Sequence, residues 1–263
     1  MPCYGALVPV DSTHLEYDAN VTAWLRARDV FAGEDAVKSG GERYLPKLDS
    51  QTPDEYNAYR SRASFFNATA RTADGFVGLI FRRESTVKLP DDSSGVGKAL
   101  AGFRDDADML GTPLESYAKN VVGEVIGVGR AGTLVDWEGE VEQRAYAVLY
   151  PVEQIINWRM ERVNSRNVLT LVVLRETGQS QDDPFIVKEV EQLRVLRLVK
   201  GVNPSKEEKT GWTYHVEVWQ RREEKSKRGK PEWMRIETRV PLRLGKPLPL
   251  IPFVFHGPRN YLP

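Results

Sequence analysis

The sequence predicts an α+β fold in which amphipathic helices come first and a mostly antiparallel β-sheet follows. Two observations lead to this prediction. Up to about residue 127, apolar residues recur every three or four positions, which is the spacing of one face of a helix. From residue 131 onward they alternate with polar residues or form β-branched runs, and short turn segments separate these runs, which favours antiparallel hairpins.

The first predicted element is a short helix near the N-terminus. Its evidence is the spacing of Val21, Trp24, Leu25 and Arg28, which places these residues on one side of a helix. We therefore expect residues 1–50 to form an N-terminal arm that contains this one short helix.

A long helix is predicted to begin at the segment Thr52-Pro53-Asp54-Glu55 and to continue to about Arg83. The segment combines an N-cap threonine, a proline at the first helical position and a glutamate three residues after the cap, which together form a capping box. Gly75 and Gly78 interrupt the helix and suggest either a kink or a place where another backbone packs closely. The apolar stripe consists of Tyr56, Tyr59, Ala63, Phe66, Ala70, Ala73, Val77 and Ile80.

The segment 91–100, DDSSGVGKAL, has the GxGK core of a phosphate-binding loop. Such a loop needs a glycine five residues before the Gly-Lys pair and a Ser or Thr after the lysine to hold magnesium. Asp92 and Ala99 occupy these two positions, and neither residue can serve the purpose. We interpret the segment as a loop that starts a third amphipathic helix, which includes Val96, Leu100, Phe103 and Leu110.

The last predicted helix begins at Thr112-Pro113-Leu114-Glu115, which repeats the earlier start signal. Its apolar face includes Tyr117 and Val121, and Gly127 and Gly129 are expected to end it. This helix completes the helical part of the chain, residues 51–129.

Residues 130–263 form the predicted β-rich part. Glycine, proline and charged residues separate its apolar runs, as expected of turns between strands. The predicted strands are 131–137, 145–150, 168–176, 185–188, 192–199, 212–222 and 232–240.

Composition and motifs give no sign of a nucleic-acid-binding protein, a membrane protein or a common type of enzyme. Lys plus Arg and Asp plus Glu number 37 each, so no net charge attracts nucleic acid or an acidic membrane. The single cysteine, Cys3, excludes an internal disulfide framework, and no run of 18 apolar residues occurs. The nucleophile elbow and the common zinc motifs are absent, and the three histidines lie far apart. We therefore predict no catalytic, cofactor-binding or metal-binding residue and no enzymatic activity.

Two charged clusters leave alternatives open. Asp105, Asp106 and Asp108 could hold magnesium in a metal-dependent phosphoesterase, although a solvated helix face is the simpler interpretation. The hairpin between the last two predicted strands could contact phosphates or a protein partner through its cations, although two glutamates dilute its charge. These cations are Arg221, Arg222, Lys225, Lys227, Arg228 and Lys230.

The order of segments resembles the wing region of portal proteins, the head-to-tail connectors of tailed bacteriophages. Tyr59–Arg83 resembles the long helix that opens the wing, and Val122–Val135 looks like the helix, glycine turn and strand that follow it. Tyr150–Arg159 and Pro249–Gly257 are similar to two later segments, the second of which is the strand that closes the wing. The resemblance extends from about Leu15 to the last residue and is greatest to a portal branch with a phage and prophage domain of unknown function.

The resemblance implies a structural subunit of a ring of about twelve copies at one capsid vertex of the virion, assembled in the cytoplasm of a bacterial host. Such a ring conducts double-stranded DNA without sequence specificity. It also docks the terminase large subunit, a head-completion or tail adaptor protein and the capsid protein, and it needs no cofactor and no membrane.

Portals continue past the wing into a stem, a clip and a crown, which would follow Pro263. This chain is therefore expected to be the wing portion, either as a fragment of a longer protein or as a relative that lost its channel-forming part, and Gly75 and Gly78 would be packing positions in the wing. Another virion adaptor or scaffold protein remains an alternative.

Overall fold

This computed structural model describes residues 9–88, 100, 102–138, 144–163, 165–180, 188–200, 211–225, 231–243 and 245–258. The α+β prediction is confirmed, because helices come first and antiparallel sheets follow. The chain forms two compact units. The sheet unit contains the described residues up to Ala19 together with Val152–Phe253, and the helix unit contains Asn20–Pro151 together with residues 254–258.

The helices are α1 (Leu15–Ala32), α2 (Glu34–Ser39), a 3-10 turn (Gly41–Arg43), α3 (Pro53–Arg62), α4 (Ala68–Ile80) and α5 (Leu114–Gly127). Helix α1 has 18 residues, so the N-terminal arm holds a longer helix than expected, and α2 follows it directly. None of the helices in the described ranges is long and apolar enough to cross a membrane.

The capping box at the start of α3 is confirmed. The backbone N–H of Glu55 donates to Oγ1 of Thr52 at 3.3 Å, and Oε2 of Glu55 accepts from the backbone N–H of Thr52 at 2.8 Å. These reciprocal bonds satisfy two backbone donors that a helix start leaves without partners. The backbone N–H and the hydroxyl of Thr52 both donate to Oε2 of Glu55 and lower the pKa of Glu55.

The prediction of one continuous helix to Arg83 is wrong, because the chain leaves the helix after Arg62 and starts α4 at Ala68. Asn67 caps the new helix, since its Oδ1 accepts from the backbone N–H of Ala70 at 3.0 Å. Its Nδ2 donates to the carbonyl oxygens of Val30 at 2.8 Å and Phe31 at 3.3 Å, near the end of α1. Asn67 therefore ties the start of α4 to the end of α1.

Asn67→Ala is expected to lower the free energy of unfolding of the helix unit by about 1–2 kcal/mol, because it removes a cap and two side-chain donors at once. Urea denaturation would measure the change. Asn57→Ala, at an exposed position of α3, is the matched control and should be nearly neutral. Equal effects of the two substitutions would contradict the role given to Asn67.

Gly75 and Gly78 lie inside the continuous helix α4. A Cβ added at either position would have no described atom within 4 Å. Within the described part of this chain, therefore, the expected close approach of another backbone does not occur.

The third predicted helix is shorter than expected. Residues 102–105 are helical, and the chain then turns, so Leu110 lies in a loop rather than on a helix. The phosphate-loop-like segment, residues 91–99, lies outside the described residues. Helix α5 begins one residue after Pro113 without the side-chain cap predicted at Thr112, and it ends at Gly127 as predicted. Gly129 then adopts a positive φ of 102° as the chain enters the first strand.

The strands are β1 (Ala131–Glu138), β2 (Arg144–Pro151), β3 (Ile155–Val163), β4 (Arg166–Ser180), β5 (Lys188–Lys200), β6 (Trp212–Lys225), β7 (Pro231–Arg239), β8 (Leu242–Arg243), β9 (Lys246–Pro247) and β10 (Phe253–His256). They form sheets with the orders β10-β1-β2, β3-β4-β5-β6-β7 and β8-β9. Strand β3 was not predicted. Residues 185–187 of the predicted strand 185–188 lie outside the described residues. Its last residue, Lys188, is the first residue of β5.

The five-stranded sheet is an antiparallel meander with buried apolar residues on both faces, such as Leu196 on one and Val195 on the other. Val172, Leu196 and Val216 are cross-strand neighbours on β4, β5 and β6, and all three are buried. The start of the chain also packs in this unit, since the His14 ring stacks on Trp158 with ring centroids 4.1 Å apart.

Strand β7 forms one edge of this meander. Its pairing with β6 moves from Val218 opposite Glu237 to Trp219 opposite Arg235, so Ile236 is an extra residue in a β-bulge. Residues 234–239 of β7 are all exposed. The strand therefore projects beyond the core with water on both faces.

Candidate functional site

Only one of the six predicted hairpin cations has a described side chain. Arg221 lies on β6, and its Nη1 donates to Oε2 of Glu191 on β5 at 2.6 Å. The side chains of Arg222 and Lys225, and the whole of Lys227, Arg228 and Lys230, lie outside what the structure describes.

Glu191 lies between two arginines, on the same face of β5 as the buried Leu193 and Val195. Besides Arg221, Arg175 on β4 places its Nε 3.6 Å from Oε1 of Glu191. That distance is too long for a hydrogen bond, and the Nε of Arg175 is the one buried side-chain polar atom of the described residues without a hydrogen-bond partner. The carboxylate of Glu191 thus faces two guanidinium groups.

Glu217 repeats the arrangement further along the same face. Its Oε1 lies 3.8 Å from nitrogens of both Arg197 and Arg235, and its Oε2 accepts from Nε1 of Trp219 at 3.0 Å. The guanidinium of Arg235 also lies 5.8 Å from the centre of the Trp219 ring. Because these arginines are largely solvated, the ion pairs add little stability. The face could contact an anionic partner.

The three clustered aspartates do not form the helix face that the sequence suggested. Asp105 is the last helical residue, whereas Asp106 and Asp108 lie in the segment 106–112, which we call the aspartate loop. Arg144 on β2 donates to Asp106 twice, from Nη1 to the backbone oxygen and from Nη2 to Oδ2, both at 2.6 Å. The prediction of a solvated helix face is therefore wrong, because Asp106 is tied to the sheet.

Asp108 holds the aspartate loop in shape. Its Oδ1 accepts from the backbone N–H groups of Leu110 at 2.9 Å and Thr112 at 3.2 Å. Burial alone would raise the pKa of Asp108, but hydrogen bonds from Thr112 and Leu110 outweigh burial and lower it. Among the described residues no group of three or more His, Cys, Asp and Glu side chains could hold a metal ion.

A buried hydrogen-bond chain joins α5, β1 and β10. The hydroxyl groups of Tyr117 and Thr133 lie 2.9 Å apart, and Oγ1 of Thr133 lies 2.7 Å from Nε2 of His256. Burial raises the pKa of Tyr117 and lowers the pKa of His256. Nothing in the sequence pointed to this chain, because its ends lie far apart along the polypeptide.

Acid is expected to destabilise the helix unit through His256. Burial lowers its pKa below the usual 6.5, so the folded state binds a proton less readily than the unfolded state. The stabilisation is present in full above pH 6.5 and is lost as the pH falls from there through the folded-state pKa. The melting temperature should fall as the pH is lowered through this range, and it should fall less in the His256→Gln variant. If the melting temperature of the variant depends on pH as steeply as that of the unaltered protein, another group causes the effect.

Helix α4 exposes a row of large apolar side chains, Phe76, Leu79 and Ile80, which we call the α4 stripe. Ala73, two turns before Ile80, is buried, so the helix packs near its start and exposes large apolar side chains toward its end. The α4 stripe is an apolar surface without cover from the described residues.

An open groove of about 540 Å³ lies between α4, α5 and β2 in the helix unit. Its lining includes the apolar positions Val77, Gly123 and Leu149 and the charged residues Asp74 and Lys119. Gly123 is notable because a Cβ there would have no described atom within 4 Å, although glycine weakens a helix interior. Packing within the described chain therefore gives no reason for this glycine, whose position leaves the groove open.

The described site features are thus surfaces for contact: a sheet face with four arginines paired to glutamates, an apolar helix stripe and an open groove. Comparison with known proteins adds no further assignment. No protein-family model matches the chain, and no curated protein gives a significant match.

Proposed function

We propose that this chain is the wing portion of a structural subunit of a portal-like ring. In this proposal the ring stands at one capsid vertex of a virion assembled in a bacterial cytoplasm, and about twelve copies surround the DNA. The ring docks the terminase large subunit, the capsid protein and a tail adaptor. The chain itself catalyses no reaction.

The order of elements is the observation that carries the proposal. The segment Val122–Val135, which resembles the helix, glycine turn and strand of portals, contains the end of α5, Gly129 at positive φ and β1. The segment Pro249–Gly257, which resembles the closing strand of the wing, contains β10. Two widely separated segments thus have the secondary structure that the resemblance implies, which supports the proposal.

The segment that resembles the opening helix of the wing matches the expected secondary structure less closely. Tyr59–Arg83 covers the end of α3 and all of α4, with a break at residues 63–67 rather than one long helix. Support for the proposal therefore comes from the order of elements and not from the length of this helix.

Exposed apolar surface gives a physical reason for copies of the chain to assemble. The side chains of the α4 stripe are between 53% and 65% exposed, so burying the rest of each would gain about 1–2 kcal/mol. Copies that pack side by side in a ring are a common way to cover such a surface. The balanced charge of the chain also suits a conduit, because strong attraction to phosphates would hold the DNA in place.

The native mass of the purified chain tests the proposal. Mass photometry should be run on this chain and on the product of any coding sequence that continues beyond residue 263. A ring of about twelve copies in either form would support the proposal. Leu79→Glu should then reduce assembly, whereas Thr72→Glu, at another exposed position of α4, should not. Monomers at every concentration in both forms would contradict the proposal.

A further inference from the structure

Strand β10 is attached to the helix unit by little besides its pairing with β1 and the bond from His256 to Thr133. It has four residues and lies at the edge of the sheet β10-β1-β2. Its first residue, Phe253, belongs to the sheet unit. Of the other three, Val254 is 55% exposed, and Phe255 and His256 are only partly buried. A short edge strand with so little buried surface is among the parts of a fold that open most easily.

The neutral form of the hydrogen-bond chain has one proton for each of its two contacts. The contacts measure 2.9 Å from Tyr117 to Thr133 and 2.7 Å from Thr133 to Nε2 of His256. Both are satisfied when the Tyr117 hydroxyl donates to Oγ1 of Thr133 and the Thr133 hydroxyl donates to Nε2. In this arrangement Nε2 is the unprotonated nitrogen of the neutral ring, and the ring proton is on Nδ1.

Protonation of His256 brings a third proton to the same two contacts. Nε2 becomes a donor, so Thr133 must accept from it. If Oγ1 of Thr133 also accepts from Tyr117, the Thr133 proton has no acceptor in the chain. If Thr133 donates to Tyr117 instead, the Tyr117 proton has none. Either arrangement leaves one O–H group unmatched beside a cation that burial has removed from water, which is unfavourable.

The described charges around the chain do not stabilise this cation. Burial is the main cause that raises the pKa of Tyr117, and the Asp108 carboxylate adds to it against the bond with Thr133. For His256, burial is the one cause of its lowered pKa, and no charge among the described residues offsets it. Charged side chains on the surrounding elements bond elsewhere: Glu115 with Lys119 and Glu124 with Arg28 at α5, Asp136 with the backbone of Trp137 on β1, and Arg144 on β2 with Asp106.

We propose that residues 254–256 form an acid-released clasp, which leaves β1 when His256 takes up a proton, while α5, β1 and β2 stay folded. In the released state the His256 ring is hydrated, so its cation carries no burial cost. The release is local because opening an edge strand costs less than unfolding the unit. It leaves the backbone groups of β1 that face β10 open to water. This device goes beyond the proposed ring and does not depend on it.

Hydrogen exchange of single amides tests the release, which a melting temperature alone would not separate from unfolding of the whole unit. Protection factors, which correct for the intrinsic effect of pH, should fall for residues 254–256 below pH 6.5. Uptake of one proton predicts a fall of up to about tenfold per pH unit until the folded-state pKa of His256 is passed. The amides of α5 and β2 should keep their protection. Equal losses in all three segments would overturn the proposal.

His256→Gln removes the titrating ring and keeps a side-chain amide that can bond to Thr133. In this variant the protection of residues 254–256 should not depend on pH below 6.5. His215→Gln, on β6 in the sheet unit, is the matched control and should keep the pH dependence of the unaltered protein. If residues 254–256 respond to pH in the same way with and without His256, the proposal is wrong.

Nitrogen NMR shifts of the His256 ring provide a readout that does not depend on stability. Above pH 6.5 they should show the ring proton on Nδ1, as the count of protons requires. The ring should become charged over the same pH range in which residues 254–256 lose protection. A neutral ring with its proton on Nε2, or a titration that does not coincide with the loss of protection, would contradict the clasp.

Discussion

Thr133→Val is expected to lower the free energy of unfolding by about 2–3 kcal/mol, because the buried Tyr117 hydroxyl and the half-buried His256 ring lose their partner at once. Valine has nearly the shape of threonine but lacks the hydroxyl that stands between Tyr117 and His256. The Tyr117 hydroxyl and the His256 Nε2 would then be left without this partner inside the protein. The loss therefore comes from unsatisfied groups and not from a cavity.

Tyr117→Phe is the matched comparison for Thr133→Val. It removes one end of the chain and leaves Thr133 bonded to His256, so a loss of only about 1 kcal/mol is expected. Chemical denaturation of both variants at pH 7.5, where His256 is neutral, would measure the difference. If the two variants lose similar amounts of unfolding free energy, the hydrogen bonds of Thr133 to both Tyr117 and His256 do not contribute together to stability.

Arg144→Met is expected to cost about 2–3 kcal/mol, because it leaves the Asp106 carboxylate without its cation in a partly buried place. The side chain of Arg144 is 16% exposed and that of Asp106 is 29% exposed, so water can compensate only in part. Methionine keeps much of the length of the arginine stem, which limits the change in packing. The variant should also loosen the aspartate loop and make it more sensitive to proteases.

The neighbouring Asp105→Asn provides the control for Arg144→Met. The side chain of Asp105 is 72% exposed, and its ion-pair partner among the described residues is the adjacent surface residue Arg104, so its loss should be nearly neutral. Thermal unfolding and limited proteolysis of the two variants would test the difference. If Arg144→Met unfolds and is cleaved like the unaltered protein, the pair with Asp106 does not fix the loop.

Elements with strong local periodicity were predicted well from the sequence. The α5 helix was recognised from its apolar face and from the glycines after it, and β1 and β2 from their apolar runs. The long helix was predicted wrongly because the break at residues 63–67 coincides with bonds from Asn67 to the distant α1. Asn67 itself was a usable signal, since asparagine before an alanine-rich segment is a favoured N-cap.

Strand β3 was missed for a different reason. Only its first residues, among them Ile155, Ile156 and Trp158, are buried, and its second half carries the exposed residues Arg159 and Glu161. An edge strand that extends past the core has no regular alternation of polar and apolar residues to reveal it. Its pairing with β4 depends on the hairpin as a whole.

Sequence patterns could not predict contacts between residues that lie far apart along the chain. Arg144 lies 38 residues from Asp106, and His256 lies 123 residues from Thr133. Periodicity reports which face of an element is apolar, but it does not report which distant polar group will meet another. Asp106 and Asp108 were therefore placed on a helix, whereas they hold a loop.

The bulge at Ile236 bears on how the protein behaves when it is concentrated. Strand β7 has the composition of a segment that adds further strands and starts fibres, since β-branched and aromatic residues alternate with charges along it. A bulge twists the backbone of an edge strand away from the flat geometry that an incoming strand needs. Together with the charges of Arg235, Glu237 and Arg239, it should keep the chain dispersed, so that side chains and not backbone edges select its partners.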